Sequence, residues 1–600
     1  MRSSISRVLK VPNPIKTPSP SPFSLLRSPS RRVNSPLPPS RRMAIAPMAV
    51  VSGGIASRFW IKFSREAAFA KYSAFVVGLA AGELKMETFR HYVSQDFHFL
   101  KSFAHAYELA EECADDDDAK LAISELRKGV IDELKLHNSL VKEWEIDPTK
   151  EGNVNSATVR YTDFLLATAS GKIDGVKGPA LATPFERTKV AAYTLGAMTP
   201  CMRLYAFLGK ELQAFLDPKD GNHPYKKWID TYSSDSFQTS ALQTEDLLDK
   251  LSVSLTGEEL DVIEKLYHQA MILEIEFFNA QPLGQPALIP LTKEHNPDQD
   301  RLIVFSDFDL TCSVVDSSAI LAEIAIVTAP KSDPPQGADQ IVRMPSVELR
   351  NTWGFLSAQY TEEYEQCIES ILPSEKGLFN YEALCKALVE LSDFERRANS
   401  RVVESSVLKG LNIEDIKKAG ERLSLQDGCI SFFQKIVNNE KLHANVHLLS
   451  YCWCADLIRS AFSSGLMDDL QVHANELTFD QSVTTGEIVR KVESPVDKVE
   501  AFKNILTSYN DDKKNLTVYI GDSVGDLLCL LEADIGIVIG SSSSLRRVGN
   551  QFGVSFVPLF PGLVEKQKGA KGSSPDWNRQ SGVLYTVSSW AEIHAFILGW

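Results

Sequence analysis

Residues 302–311, LIVFSDFDLT, form an apolar run that ends abruptly in two carboxylates and a threonine. Leu302 to Phe305 show no polar alternation, so they predict a strand buried on both faces. Asp307 and Asp309 then fall just past its carboxyl end, where open α/β sheets place their ligands. Burying two aspartates beside a core strand is costly unless a cation and hydrogen bonds compensate. The chemistry this favours is metal-assisted phosphoryl transfer. Three further runs repeat the pattern. His447 to Ser450 (HLLS) ends in a hydroxyl, and Leu516 to Gly521 (LTVYIG) is followed by Asp522, Ser523 and Asp526. Ile535 to Gly540 (IGIVIG) carries no carboxylate. Lys498 lies between the second and third runs, in SPVDKVEAF, at an expected helix start.

In order and spacing these stretches resemble the haloacid-dehalogenase superfamily of phosphatases, whose motifs are DxDxT, a Ser or Thr after the second strand, a Lys, and GDxxxD. Here they read Asp307-Phe308-Asp309-Leu310-Thr311, Ser450, Lys498 and Gly521-Asp522-Ser523-Val524-Gly525-Asp526. Phosphate monoesters are among the slowest linkages to hydrolyse, with enzymatic accelerations up to about 10²¹-fold, and a carboxylate nucleophile divides the task into two displacements. The resemblance implies that Asp307 attacks phosphorus and that Asp309 serves as acid, then base. It also implies Mg²⁺, a hard cation, held by Asp307, the Asp309 carbonyl, Asp522 and water, with Asp526 positioning Lys498 or metal-bound water. Ser450 and Lys498 would hold the phosphoryl oxygens, with Thr311 among the substrate-binding groups.

A second set of residues lies upstream. In METFRHYVSQDFHFLKSFAHAYELA, Phe89, Tyr92, Val93, Asp96, Phe99, Leu100, Phe103 and Tyr107 share one helical face, so Asp96 is a carboxylate on an apolar stripe. Glu274 sits likewise among Ile263, Tyr267, Met271 and Phe278, while Glu276 points out. In LGAMTPCMRLYAFLGKEL, Cys201 and Tyr205 are four apart on one face, and Pro200 is expected to kink the helix before Cys201. Three helices thus send ionisable or nucleophilic side chains inward, as bundles do when they build a pocket.

Gln95-Asp96-Phe97, Thr199-Pro200-Cys201 with Tyr205, Trp228-Ile229 with Tyr232, and Glu274 with Phe277-Phe278 resemble the TenA family, thiaminase II-like proteins with a haem-oxygenase-like helical fold. That likeness implies hydrolysis of an aminomethyl-pyrimidine, or of thiamine itself. Cys201 would add to the pyrimidine ring, and Asp96 and Glu274 would bind its nitrogens and amino group. Tyr205 and Tyr232 would surround it, with Tyr161 as a stacking wall. Phe99 stands where many members have a pocket tyrosine, and Thr199-Pro200-Cys201 replaces Leu-Pro-Cys. The fusion of the two modules resembles the plant bifunctional proteins of thiamine metabolism, which implies thiamine monophosphate as the phosphatase substrate. The alternatives are a phosphatase of another small ester, such as a nucleotide, beside a non-catalytic pyrimidine-binding domain, or a scaffold without turnover.

Six hundred residues exceed one core, at about 100–200 per domain. The expected architecture is an all-α bundle over 58–282, a linker over 283–300, and an α/β Rossmann-like phosphatase over 301–600 with a helical cap at about 315–440. Thr256 and Glu259 predict a capping box, and 561–582 reads as a mobile loop before a closing helix over Trp590 to Trp600. Net charge of −15 argues against nucleic-acid binding, and no apolar run of 18 residues spans a membrane. Residues 1–42 carry nine Arg and Lys and no acid, which leaves −15 − 9 = −24 on the remainder. That segment reads as a transit peptide, leaning mitochondrial with plastid open, and Met43 offers the start of a shorter cytosolic form. Nine scattered cysteines without a CxxC fit free thiols in a reducing compartment. Relatives of the helical half self-associate, which implies a homo-oligomer through it.

Overall fold

The structure, a computed structural model, describes residues 53–143, 154–173, 184–216, 222–293, 295–330, 343–463, 470–569, 577 and 579–600. The transit segment 1–42, Met43, and most of the Pro/Gly stretch expected at 330–337 lie outside the described residues.

Between Ile55 and Asn279 every regular element is a helix. The long ones, Met86–Cys113, Asp117–Glu143, Pro184–Gln213 and Gly257–Asn279, pack side by side. Each carries an apolar stripe: on Met86–Cys113, Phe89, Tyr92, Phe99, Phe103 and Tyr107 are all buried. The Gly257–Asn279 helix opens on the expected capping box, with Thr256 accepting from the Glu259 amide and the Glu259 carboxylate accepting from the Thr256 amide. Pro184–Gln213 runs as one helix through Pro200.

The second half holds a seven-stranded parallel sheet in the order β3-β2-β1-β6-β7-β9-β8. Among the described residues the strands are β1 (Asp300–Ser306), β2 (Asn445–Leu449), β3 (Gln471–His473), β4 (Glu476–Asp480), β5 (Val483–Val489), β6 (Lys514–Gly521), β7 (Ile535–Ile539), β8 (Ser555–Pro558) and β9 (Val583–Val587); β4 and β5 form a separate antiparallel pair. The four apolar runs read from sequence become β1, β2, β6 and β7. Leu302 to Phe305 are buried, worth about 1.5–3 kcal/mol each for side chains of this size. Chain order runs outward from β1 to β3 on one side and from β6 to β7 on the other. The reversal opens a crevice at the carboxyl ends of β1 and β6. Helices Ser317–Val327, Ser346–Ile371, Tyr381–Glu404 and Ile413–Glu421 fill the insertion after β1 that was expected as a cap.

One expectation needs correction. The loop expected at 561–582 begins as a helix, Leu559–Gly569, whose Leu559, Phe560, Leu563 and Val564 are buried. It packs against the Ala74–Ala81 helix of the first half, a partner that local sequence does not announce. The segment expected as a linker, 283–300, is packed: Leu288 and Ile289 are buried, and the amides of Leu291 and Thr292 donate to the carbonyls of Phe596 and Ile597. No helix among the described residues is long and apolar enough to cross a membrane.

Candidate active sites

At the sheet crevice, Asp307 follows β1 directly and Asp522 follows β6. Lys498 comes from the Pro495–Thr507 helix, which Ser494 caps and Pro495 opens, so its placement follows from local start signals. Its ammonium lies 3.0 Å from Asp307 Oδ1 and 2.7 Å from Asp526 Oδ1, and it is buried. Burial alone would pull the Lys498 pKa down; the Asp307 and Asp526 charges outweigh it and hold it above the ordinary value. Asp307 is raised by burial and by the Asp526 charge, against the pull of Lys498. Asp309 is raised further above the ordinary carboxyl range, by burial first and then by the Asp316 and Asp307 charges. It is therefore suited to carry a proton near neutral pH. Its carboxyl group accepts from the Ser317 amide at 2.7 Å and the Ser317 hydroxyl at 2.9 Å.

Asp307, Asp522 and Asp526 offer oxygens within 4.8 Å of one another. An all-oxygen donor set of this kind fits a hard divalent cation. Asp526, however, already accepts from Lys498, the Tyr519 hydroxyl at 3.0 Å, and the Ser523 amide and hydroxyl at 3.0 and 2.8 Å. Four donors occupy it, so it acts as the holder of Lys498. Gly521 permits this, because a Cβ there would meet Asp526 Cγ at 2.6 Å. Thr311, expected among the substrate-binding groups, donates its hydroxyl to Asp522 Oδ1 at 3.0 Å. Ser450 is buried after β2, its hydroxyl accepting from the Cys452 amide at 3.2 Å.

A cavity of about 90 Å³ opens over Asp307, walled by Tyr360, Glu395 and Asn399 of the cap and by Tyr451 and Trp453. It adjoins a second of about 400 Å³ that shares Leu310, Tyr360 and Asp522. The first alone is too small for a substrate with an organic leaving group; the pair reaches the range of small-molecule sites. Among the described residues lining the first there is no lysine or arginine, while Asp316, Glu395 and Glu493 add carboxylates. Asn399 ties the wall together, accepting from Trp453 Nε1 at 3.0 Å and donating to Glu493 at 3.3 Å.

In the helical half, Cys201 and Glu274 come from the Pro184–Gln213 and Gly257–Asn279 helices, both buried, with the Glu274 carboxylate close enough to act on the thiol electrostatically. Tyr161 donates to Glu274 Oε1 at 2.7 Å, so its hydroxyl has a definite task beyond the stacking role expected of it. Tyr205 and Tyr232 sit with ring centroids 4.9 Å apart, and Tyr92 donates to the Tyr205 hydroxyl at 3.1 Å. Phe99 packs 4.6 Å from Tyr161. Burial raises Glu274 to about 7 despite the hydrogen bonds from Tyr161 and Cys201. Asp96 is raised by burial and by the Glu133 and Glu274 charges. Burial and the Glu274 charge push the Cys201 thiol well up, so at rest it keeps its proton.

Glu133 escaped the sequence reading. It accepts from the Tyr232 hydroxyl at 2.8 Å, and burial lifts it to about 7. The signal was present: Ala119, Ile123, Leu126 and Val130 are the buried stripe of its helix, and Glu133 continues it one turn on.

Residues 74–173 and 184–282 match the family described as TENA/THI-4/PQQC. The chain is 68% identical over 550 residues to the "Bifunctional TH2 protein, mitochondrial" of Arabidopsis thaliana, covering 90% of this chain and 89% of the relative. It is 27% identical over 197 residues to an "Aminopyrimidine aminohydrolase" of Helicobacter pylori, covering 32% of this chain and 82% of that one. A solved structure described as a phospho-aspartyl intermediate analogue of phosphoserine phosphatase is 20% identical and covers 42% of this chain and 91% of its own, with a TM-score of 0.26. At that score it adds no weight to the chemistry, which rests on the side chains above.

Proposed function

The chain belongs to the family of bifunctional TH2 proteins, and from that membership we propose a two-site hydrolase of thiamine metabolism. One site dephosphorylates thiamine monophosphate; the other hydrolyses an aminomethyl-pyrimidine, or thiamine, to hydroxymethyl-pyrimidine. The observation that supports the phosphatase reading is the meeting of Asp307, Asp522 and Asp526, with the Lys498 ammonium paired to Asp307 and Asp526.

Asp307 attacks phosphorus and forms an aspartyl-phosphate, while Asp309 gives its proton to the departing alcohol. Asp309 then takes a proton from water, which attacks the same phosphorus and frees phosphate and Asp307. Lys498 and Ser450 face the phosphoryl oxygens. Asp307, Asp522 and the Asp309 carbonyl would hold Mg²⁺, which would neutralise phosphoryl charge. The acidic, aromatic wall of Tyr360, Glu395 and Trp453 suits a positively charged ring in the leaving group. That feature favours thiamine monophosphate over nucleotides. A substrate panel tests it: kcat/KM for thiamine monophosphate is expected to exceed that for nucleoside monophosphates by about 100-fold, the discrimination of roughly 3 kcal/mol that one misplaced polar contact costs. Equal rates would move the assignment to a general phosphatase.

In the helical site Glu274 takes the proton of Cys201, which adds to the pyrimidine ring. Glu274 passes that proton to the amine as it leaves as ammonia, then takes a proton from the water that replaces it, and returns this proton to the Cys201 sulfur as the bond to the ring breaks. Asp96, Glu133 and the tyrosines orient the ring. Because Glu274 must be ionised to act as base and its pKa is raised to about 7, activity is lost as pH falls through that value. The expected kcat/KM drops about tenfold per pH unit on the acid limb, and Glu274→Gln removes that limb together with most of the rate. An acid limb near the ordinary glutamate value would contradict the role. The basic segment 1–42 and the relative's printed description support a mitochondrial destination.

A further inference from the structure

The closing helix, Trp590–Ile597, touches both halves. On one side Glu592 accepts from the Tyr72 hydroxyl at 2.7 Å, and His594 meets the Phe69 ring edge-on at 5.1 Å. Glu592 also accepts from the Ser588 amide and hydroxyl at 2.8 and 2.6 Å, which fixes the start of the helix. On the other side the Trp590 indole is buried against Phe432 and Phe433 and donates Nε1–H to the Thr311 carbonyl at 2.9 Å. Thr311 is the residue whose hydroxyl holds Asp522, and Leu310 before it has a φ of +61°. A non-glycine residue at that φ is held by its surroundings. A cavity of about 620 Å³ between the halves is lined by Tyr72, Glu592, Trp590 and Leu310 together.

We propose that Trp590 is a positioning residue of the phosphatase site, and that the helical half holds it in place through Tyr72 and Glu592, so that docking of the halves supports phosphate-ester turnover. The path is continuous: Tyr72, Glu592, the closing helix, Trp590, the Thr311 carbonyl, the Thr311 hydroxyl, Asp522. Three links are hydrogen bonds, and the others lie within the first turn of the closing helix and within Thr311 itself. The indole N–H is also what satisfies a buried carbonyl in the loop that carries Asp307 and Asp309, and a shift of that loop by a fraction of an ångström misaligns attack at phosphorus. The inference rests on the phosphatase reading for its kinetic part alone.

The test uses the full chain with Trp590→Phe, which keeps an aromatic ring and removes the N–H, and Tyr72→Phe, which removes one hydroxyl. Two quantities are read: kcat and KM on thiamine monophosphate, and Mg²⁺ affinity by calorimetry. Trp590→Phe is expected to lower kcat about tenfold with KM within about twofold, and to weaken Mg²⁺ binding several-fold through Asp522. Tyr72→Phe should move both in the same direction by about threefold while hydrolysis of aminomethyl-pyrimidine holds. Wild-type kcat and Mg²⁺ affinity in Trp590→Phe would overturn the positioning role. A Trp590 effect with Tyr72→Phe silent would overturn the link between halves. If Trp590→Phe fails to fold, Tyr72→Phe decides alone. Should the wild-type chain turn over no phosphate ester, the phosphatase reading fails, and the Mg²⁺ titrations still decide whether Trp590 shapes the loop.

Discussion

Asp307→Asn is expected to abolish Mg²⁺-dependent phosphate release, lowering kcat by about 10⁴-fold or more, as loss of a covalent nucleophile does elsewhere. The substitution is nearly isosteric, so the wall of the cavity stays in place. It exchanges a carboxylate that can form an acyl phosphate for an amide that cannot. Lys498 loses one of its two anionic neighbours, yet Asp526 still lies 2.7 Å from its ammonium, so the buried cation is not stranded. For that reason the fold is expected to survive, and release of hydroxymethyl-pyrimidine by the helical half should stay at its wild-type rate. Phosphate release that continued unchanged would remove the nucleophile from Asp307.

Cys201→Ser is the matching experiment for the other half. Its expected result is a fall of about 10³-fold or more in hydroxymethyl-pyrimidine release, with thiamine monophosphate turnover intact. The thiol is buried and protonated at rest, so its reactivity depends on the neighbouring Glu274 carboxylate. A serine hydroxyl is a far weaker acid and a poorer nucleophile, and a glutamate with pKa about 7 cannot ionise it usefully. Unaltered release would leave Cys201 as one more buried thiol among nine free cysteines.

The sequence exposed those parts of the molecule whose burial is decided by nearest neighbours in the chain. Leu302 to Phe305 are apolar at every position and Leu516 to Gly521 nearly so, with Thr517 the exception, because sheets and helices cover both their faces, so strand and ligand end could be read together. Asp96 and Glu274 stood out because a carboxylate on an apolar stripe needs a reason to be there. Glu133 obeys the same rule, and its stripe of Ala119, Ile123, Leu126 and Val130 was simply not followed to the next turn. Other features have no local signature. Leu563 and Val564 form a helix because the Ala74–Ala81 helix covers them. The short strands β3, β8 and β9 depend on sheet partners far along the chain, and the antiparallel pair β4–β5 lies between two segments of the parallel sheet. The indole of Trp590 reaches Thr311 across 279 residues of sequence. Of the four donors to Asp526, Tyr519 and Ser523 lie within seven residues of it, whereas Lys498 reaches it from a separate helix.

The most direct measurement is to mix the full chain with thiamine monophosphate and Mg²⁺, quench in acid within the first turnover, reduce with labelled borohydride and map the label by peptide mass. An aspartyl-phosphate at Asp307 predicts label at position 307 and nowhere else, absent when Mg²⁺ is withheld. Label at another carboxylate, or none during steady phosphate release, would contradict the account.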